Sequence, residues 1–224
     1  CDDILHRQVY LGQGRQEGLL VYVEVAVSNL MLEEHVIGLS DVQPLKSYEE
    51  GKAALLAGNG LLFLDGDTNC YKISSKGYPG LGVKKAENEK VIRGSQEAFT
   101  ESEKINVALI RKRLRDSRMK VEEQTVGVRS HTMTALVDLI YQGLLTTMKQ
   151  QLQRYEIDGI LDSGMLEQLS EKHWLSPFPQ FQTTERPDRA AAAVLEGRIV
   201  LVTDHSPQVL ILPSDYNSFF QTSD

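Results

Sequence analysis

A chain of 224 residues with a formal net charge of -7, 41% hydrophobic residues and two cysteines carries enough apolar side chains for one or two packed domains, which excludes wholesale disorder. No run nears the roughly 18 apolar residues of a membrane helix and no basic start leads into an apolar signal segment, so the chain as written is expected to be soluble and, opening at Cys1 without methionine, to be a piece of a longer protein. Cys1 and Cys70 are too sparse for a disulfide framework and fit a reducing compartment with Cys70 packed as a small apolar residue, while the overall acidity argues against a nucleic-acid partner.

Taken in order, short apolar runs alternate with helical patterns, the mark of an α/β protein. "GLLVYVEVAV" (18–27) reads as a buried strand, and "SNLMLEEHVIGL" as a helix that Ser28 caps. "SYEEGKAALLAGN" reads as a second helix, with Ser47 and Glu50 as a capping box and Gly58 as its stop. "GLLFLDGDTNCYKIS" reads as a strand, a tight Asp-Gly turn and a returning strand. The loop "KGYPGLGVKKAENE" then marks a subdomain boundary. Thr100 and Glu103 form a capping box for a helix whose apolar face holds Ile105, Val107, Leu109, Ile110 and Leu114. Its basic end, Arg111, Lys112, Arg113 and Arg115, continues through Arg118 and Lys120. This is the dense basic patch of an acidic chain, suited to phosphates, anionic lipid or an acidic partner, or else to a solvated face with internal salt bridges. "MKVEEQTVG" reads as a strand that opens the second half.

That second half repeats the first. Laying residues 53–73 on 192–212 pairs Ala53 with Ala192, Ala54 with Ala193, Leu56 with Leu195, Gly58 with Gly197, Leu62 with Leu201 and Asp65 with Asp204. Each half therefore reads as strand, helix, helix, hairpin, which makes two small related α/β subdomains with mixed sheets. The expected divisions are 1–84, a connecting segment 85–118 that carries the basic helix, and 119–224. The second half also holds an insertion, "IDGILDSGMLEQLSEKHWLSPFPQFQTTERPDR".

Chemical motifs fail their spacing tests. "FLDGDTN" follows a strand as a phosphatase nucleophile loop would, but Asn69 stands where Thr or Val belongs, and the matching turn "TDHSP" lacks a second acid, so it reads as a turn. "GYPGLGVKK" lacks the Walker order. His6, His35, His131, His173 and His205 show no metal-ligand spacing, and no G-x-S-x-G elbow occurs; no metal, cofactor or catalytic residue is assigned. Asp162 or Ser163 can cap a helix running to Leu169, an ordinary capped end or one that suits an anion. Around Pro187, a good first helical residue, gather Glu185, Arg186, Asp188 and Arg189. Stiffened by "SPFPQ", this cluster reads as a structural clamp at a junction between subdomains or subunits, in preference to a direct ligand contact.

The stretches "KVIRGSQEAFTESEKINVALIRKRLRD", "IDGILDSGMLEQL", "SPFPQFQTTERPDRAAAAVLEGRIVLVTD" and "PSDYNSFFQ" resemble the N-terminal soluble domain of the A subunit of GerA-type spore germinant receptors. The resemblance covers most of the chain. It departs at Ser95 and Ala98, where the family usually carries Pro and Gly, and near Met165, where it favours Tyr. It implies two α/β subdomains facing each other across a cleft, as in solute-binding proteins, and a non-enzymatic part in nutrient-triggered germination signalling and receptor assembly. It further implies B and C subunits and other A subunits as partners. Membrane attachment would run through segments absent from this chain, in the spore inner membrane with this domain toward the core. The alternative is a module that binds a small-molecule germinant in the cleft.

Overall fold

The computed structural model describes residues 2–11, 16–24, 42–74, 89, 94–139, 142–153, 157–170 and 180–214. The chain forms two compact units, one of Cys1–Gly82 with Arg111–Ser117 and the other of Val83–Ile110 with Arg118–Asp224. The residues expected to form a separate connecting segment are divided between them.

In the first unit β1 (Ile4–Leu11), β2 (Gln16–Val23) and β3 (Val42–Leu45) precede α1 (Tyr48–Leu56), followed by β4 (Gly60–Leu64) and β5 (Cys70–Ile73). They make one sheet in the order β1-β2-β4-β5-β3. Helix α2 (Glu103–Arg113) follows; the division between the units passes through it after Ile110. In the second unit come β6 (Lys120–Val126), β7 (Thr132–Asp138), α3 (Gln142–Gln153) and α4 (Ser163–Ser170). Then come β8 (Gln182–Thr184), α5 (Pro187–Leu195), β9 (Ile199–Thr203) and β10 (Val209–Leu212), in the order β6-β7-β9-β10-β8. The two orders are the same, strand for strand.

The expectation of mixed sheets is corrected: every ladder among the described residues is antiparallel. The reason is topological. The chain leaves β3, passes through α1 and returns as β4 parallel to β3, but β5 lies between them and pairs with both. β8, α5 and β9 enclose β10 in the same way. Each is a split β-α-β unit, in which the two parallel strands never touch.

The repeat reaches the hydrogen bonds. At the end of α1, Ala57 N donates to Ala53 O at 3.0 Å, Gly58 N to Leu55 O at 2.9 Å and Asn59 N to Ala54 O at 3.1 Å; at the end of α5, Glu196 N donates to Ala192 O at 3.0 Å, Gly197 N to Val194 O at 3.0 Å and Arg198 N to Ala193 O at 2.9 Å. Gly58 has φ 84° and Gly197 φ 83°, the left-handed stop that satisfies the last carbonyls and turns the chain into the next strand. The helix starts differ. Ser47 Oγ accepts from Glu50 N at 3.2 Å while Glu50 Oε2 accepts from Lys46 N at 2.9 Å, close to the expected capping box. α5 opens on Pro187 as its first residue without a side-chain cap.

Three strands lie outside the sequence reading, β1, β3 and β8. The hairpin turn is also longer than expected: β4 ends at Leu64 and β5 begins at Cys70, with Gly66 at φ 78°. The strand read as 18–27 is β2 over its described part, and the helix expected at 28–39 lies outside the described residues, as do Cys1 and most of the 76–89 loop and of "SPFPQ".

The second unit buries Val126, Leu136, Ile160, Leu166, Ile199, Leu201 and Leu210 in one cluster with Met148 and Leu152. Each such side chain contributes about 1.5–3 kcal/mol by leaving water. The first unit's cluster is smaller, with Leu20, Leu62 and Ile73 buried and Val9, Tyr22 and Tyr71 packed at its margin.

Because both stops need a positive φ, Gly58→Ala and Gly197→Ala should each lower stability by about 1 kcal/mol in urea unfolding. A neutral outcome at either position would show that its helix stop is not left-handed in solution.

Candidate functional site: a charged cluster around Pro187

Sequence reasoning singled out Glu185, Arg186, Asp188 and Arg189; the fold adds Glu89. β8 ends at Thr184 and α5 begins at Pro187, so the four charged residues sit on the tight passage from a strand into a helix. Arg186 forms a two-pronged bond with Asp188, Nε to Oδ1 at 3.1 Å and Nη2 to Oδ2 at 2.5 Å. Asp188 lies in the first turn of α5, where the helix dipole favours a carboxylate. The hydrogen bond it donates to Asp188, and the charges of Asp188 and Glu89, hold the Arg186 guanidinium proton more tightly than usual.

Glu89 ties the rest together. Its Oε1 accepts from Arg189 Nη1 at 2.8 Å and its Oε2 from Thr184 Oγ1 at 2.7 Å, while its backbone N donates to Glu185 Oε1 at 2.7 Å. Glu185 O also accepts from Phe99 N at 2.8 Å, and Phe99 is buried. All of these residues belong to the second unit. The bonds fasten the chain that precedes α2 onto the β8–α5 passage. Arg186 keeps 8% of its side chain exposed and Arg189 49%, so Arg189 is the more open of the two cations. Glu89 carries no periodic or motif signal in its Gly- and Lys-rich loop; its role is visible only in space.

Asp162 and Ser163 part company. Asp162 Oδ1 accepts from Met165 N at 2.8 Å, so its own carboxylate caps α4 at the position an outside anion would take. Ser163 is buried and its Oγ lies 2.7 Å from Ser206 Oγ. Just before α4, the β6–β7 turn grips the "IDGI" stretch: Val128 N donates to Ile157 O at 2.8 Å, Ser130 N to Asp158 O at 3.1 Å and Thr132 Oγ1 to Ile160 O at 2.6 Å. Gly127 has φ 90°, and a Cβ there would meet Ser130 Oγ at 2.5 Å, so glycine is required.

The capping box expected at Thr100 and Glu103 is replaced. Asp204 Oδ1, from the turn after β9, accepts from Glu103 N at 3.0 Å, while Thr100 Oγ1 accepts from Ser102 N at 3.2 Å and Asn106 Nδ2 donates to Thr100 O at 2.7 Å. Asp204 is the repeat partner of Asp65, so one turn position holds a helix start in the second unit.

The basic patch also divides. Arg111 is 1% exposed and its Nε lies 2.6 Å from Oδ2 of Asp3, itself buried. It is buried against Asp3 within the first unit and is not part of a solvent-facing patch. Burial pushes the Asp3 carboxyl upward and Arg111 opposes the shift. Lys112 and Arg113 are half-buried and Arg115 is exposed.

"FLDGDTN" forms a loop brace. Asp67 accepts from Asn69 N at 2.9 Å, Asn69 Nδ2 at 2.8 Å and Tyr71 OH at 2.6 Å. The Tyr71 hydroxyl, followed by the Asn69 amide, holds the Asp67 carboxyl below its ordinary value. Cys70 is free, and burial pushes its thiol up. Among the described residues no group of His, Cys, Asp and Glu is arranged to hold a metal ion, and no helix is long and apolar enough to cross a membrane.

A two-unit α/β domain with a duplicated split β-α-β core is the class that this fold and cluster define. The family model for the Bacillus/Clostridium GerA spore germination protein matches residues 2–224, and the chain belongs to that family. It is 32% identical to the uncharacterized membrane protein YfkQ of Bacillus subtilis over 100% of this chain and 48% of that protein. To spore germination protein KA of the same organism it is 33% identical over 84% of this chain and 35% of that protein. The chain therefore spans half or less of the length of these curated relatives. The crystal structure of the N-terminal domain of the A subunit of the Bacillus megaterium spore germinant receptor GerK3 has the same fold, with a TM-score of 0.70 and 24% identity over 96% of this chain and 89% of that one.

Removing one partner of a buried ion pair leaves the other charge uncompensated, so Arg111→Ala should cost about 3–5 kcal/mol, against about 0.5 kcal/mol or less for the exposed Arg115→Ala. Urea unfolding of the two variants checks this; equal costs would return Arg111 to the surface.

Proposed function

We propose that this chain is the N-terminal domain of a spore germination receptor A subunit or of an A-subunit-like relative, and that it serves assembly and signal relay without catalysis. The observation that carries this reading is the inward pairing of the Pro187 cluster. The bonds described for Arg186, Asp188, Arg189, Glu185 and Glu89 run to one another, to Thr184 and to Phe99. A ligand site holds polar groups turned toward an open cavity; this cluster spends its charges on fixing one helix start to the chain before α2.

In the full-length protein the membrane segments would follow this domain, in the spore inner membrane with the domain toward the core. B- and C-type subunits and further A subunits would be its neighbours. A rigid α5 start suits a part that passes on a displacement, since a clamped element moves as a body. The basic residues beyond Arg111, namely Lys112, Arg113 and Arg115, are the proposed contact for an acidic neighbour or lipid headgroups. Arg189 is the cluster member best placed for a neighbouring subunit.

Arg186→Ala in the full-length protein should lower the domain's stability by about 1–3 kcal/mol and slow germination for every nutrient while the order of nutrient preference stays the same. A change in that order, with stability intact, would show instead that the cluster reads the ligand.

A further inference from the structure

Three polar side chains stand in one row on the inner face of the second unit's sheet. Gln124 of β6 lies opposite Thr134 of β7, and Thr134 lies opposite Thr203 of β9. Opposite residues of an antiparallel ladder point to the same face with Cβ atoms about 5 Å apart. Both threonines are 0% exposed. Thr134 Oγ1, Thr203 Oγ1 and both amide atoms of Gln124 are enclosed and make no hydrogen bond.

The setting makes this unusual. On one side the next row of the same face is Leu136 and Leu201, in the apolar cluster that Met148 and Leu152 of α3 complete. On the other side Val126 faces Thr132, whose hydroxyl is taken by Ile160 O and Ser130 Oγ. Buried polar groups in folded proteins are nearly always paired, and leaving one unpaired costs about 1–3 kcal/mol. Three neighbours left so would weigh on a fold whose total stability is about 5–15 kcal/mol.

We infer that the Gln124–Thr134–Thr203 row is a binding site for a small neutral guest that both donates and accepts hydrogen bonds. Two hydroxyls and a carboxamide supply donors and acceptors with no net charge. On the same face of β6, the charge of Glu122 is already committed to Lys149. The row selects against ions and for water or a neutral hydroxyl-bearing solute, two sources that share this chemistry. The site lies within one unit and away from Pro187, so it stands independently of the function proposed above.

Isosteric removal of the hydroxyls tests this. With a guest present, Thr134→Val and Thr203→Val each lower the folding equilibrium constant of the chain about tenfold, because the guest loses a partner; with a water guest this is seen in buffer, and with a solute guest only when the solute is added. NMR of the chain distinguishes the sources. Magnetisation transfer from long-lived water to the γ-methyls of Thr134 and Thr203 identifies water. Saturable shifts of those methyls and of the Gln124 amide on adding glycerol identify a solute. The proposal is overturned if the valine variants are as stable as the parent or more stable in buffer and in glycerol. It is equally overturned if Gln124 and Thr134 bond directly to each other with neither signal present.

Discussion

Each unit depends on one constraint: a helix that leaves a strand must deliver the chain back into the sheet two places away, with room for a third strand between. The left-handed glycine at the end of each helix meets it. Gly58 and Gly197 close the last turn with the same three hydrogen bonds and aim β4 and β9 into their sheets. A helix that ran one residue longer would shift the strand register by one and exchange the two faces of β9, all five of whose residues are buried and packed where they stand. The hairpin then places β5 or β10 in the gap, and the antiparallel ladders follow. Two copies of this device account for the sheet order of both units.

The copies have diverged at their edges, and the function proposed for the chain rests there. In the first unit the turn after β4 braces itself, Asp67 holding Asn69 and Tyr71. In the second the matching turn reaches outward: Asp204 caps α2 and Ser206 meets Ser163 of α4. At the helix start, Ser47 and Glu50 form a local cap, whereas the equivalent Arg186 pairs with Asp188 beside the bonds from Thr184 and Glu185 that fasten Glu89 and Phe99. The second unit has thus turned two positions of the repeat into attachment points for the chain that enters it. Such attachments suit the relay role proposed above.

Much of this was legible in the residues. The repeat showed because helix stops and turns depend on glycine and aspartate, whose backbone roles are local; Pro187 marked its helix start for the same reason. The strands that escaped notice lack such marks. β1 has His6, Arg7 and Gln8 at its centre and is an edge strand, half solvated on both faces. β3 contains Pro44, tolerated because β3 is also an edge, and β8 is three residues long. Spacing alone likewise could not separate Arg111 from Arg115. Only the packing of α2 shows that Asp3 neutralises the first, and only the fold brings Glu89 to Arg189. Long-range pairing of charges leaves no local pattern, so spacing shows the cluster only as separate residues and gives no sign of Glu89.

The central claim is that the Pro187 cluster is spent on holding the domain together and is closed to nutrients. The most direct measurement is a protein-observed NMR titration of the chain with a panel of amino acids, sugars and nucleosides, following the backbone signals of Glu89 and residues 184–189. The account predicts no saturable shift at these positions up to millimolar concentration. Localised, saturable shifts there with one class of nutrient would contradict it and make the cluster a germinant site.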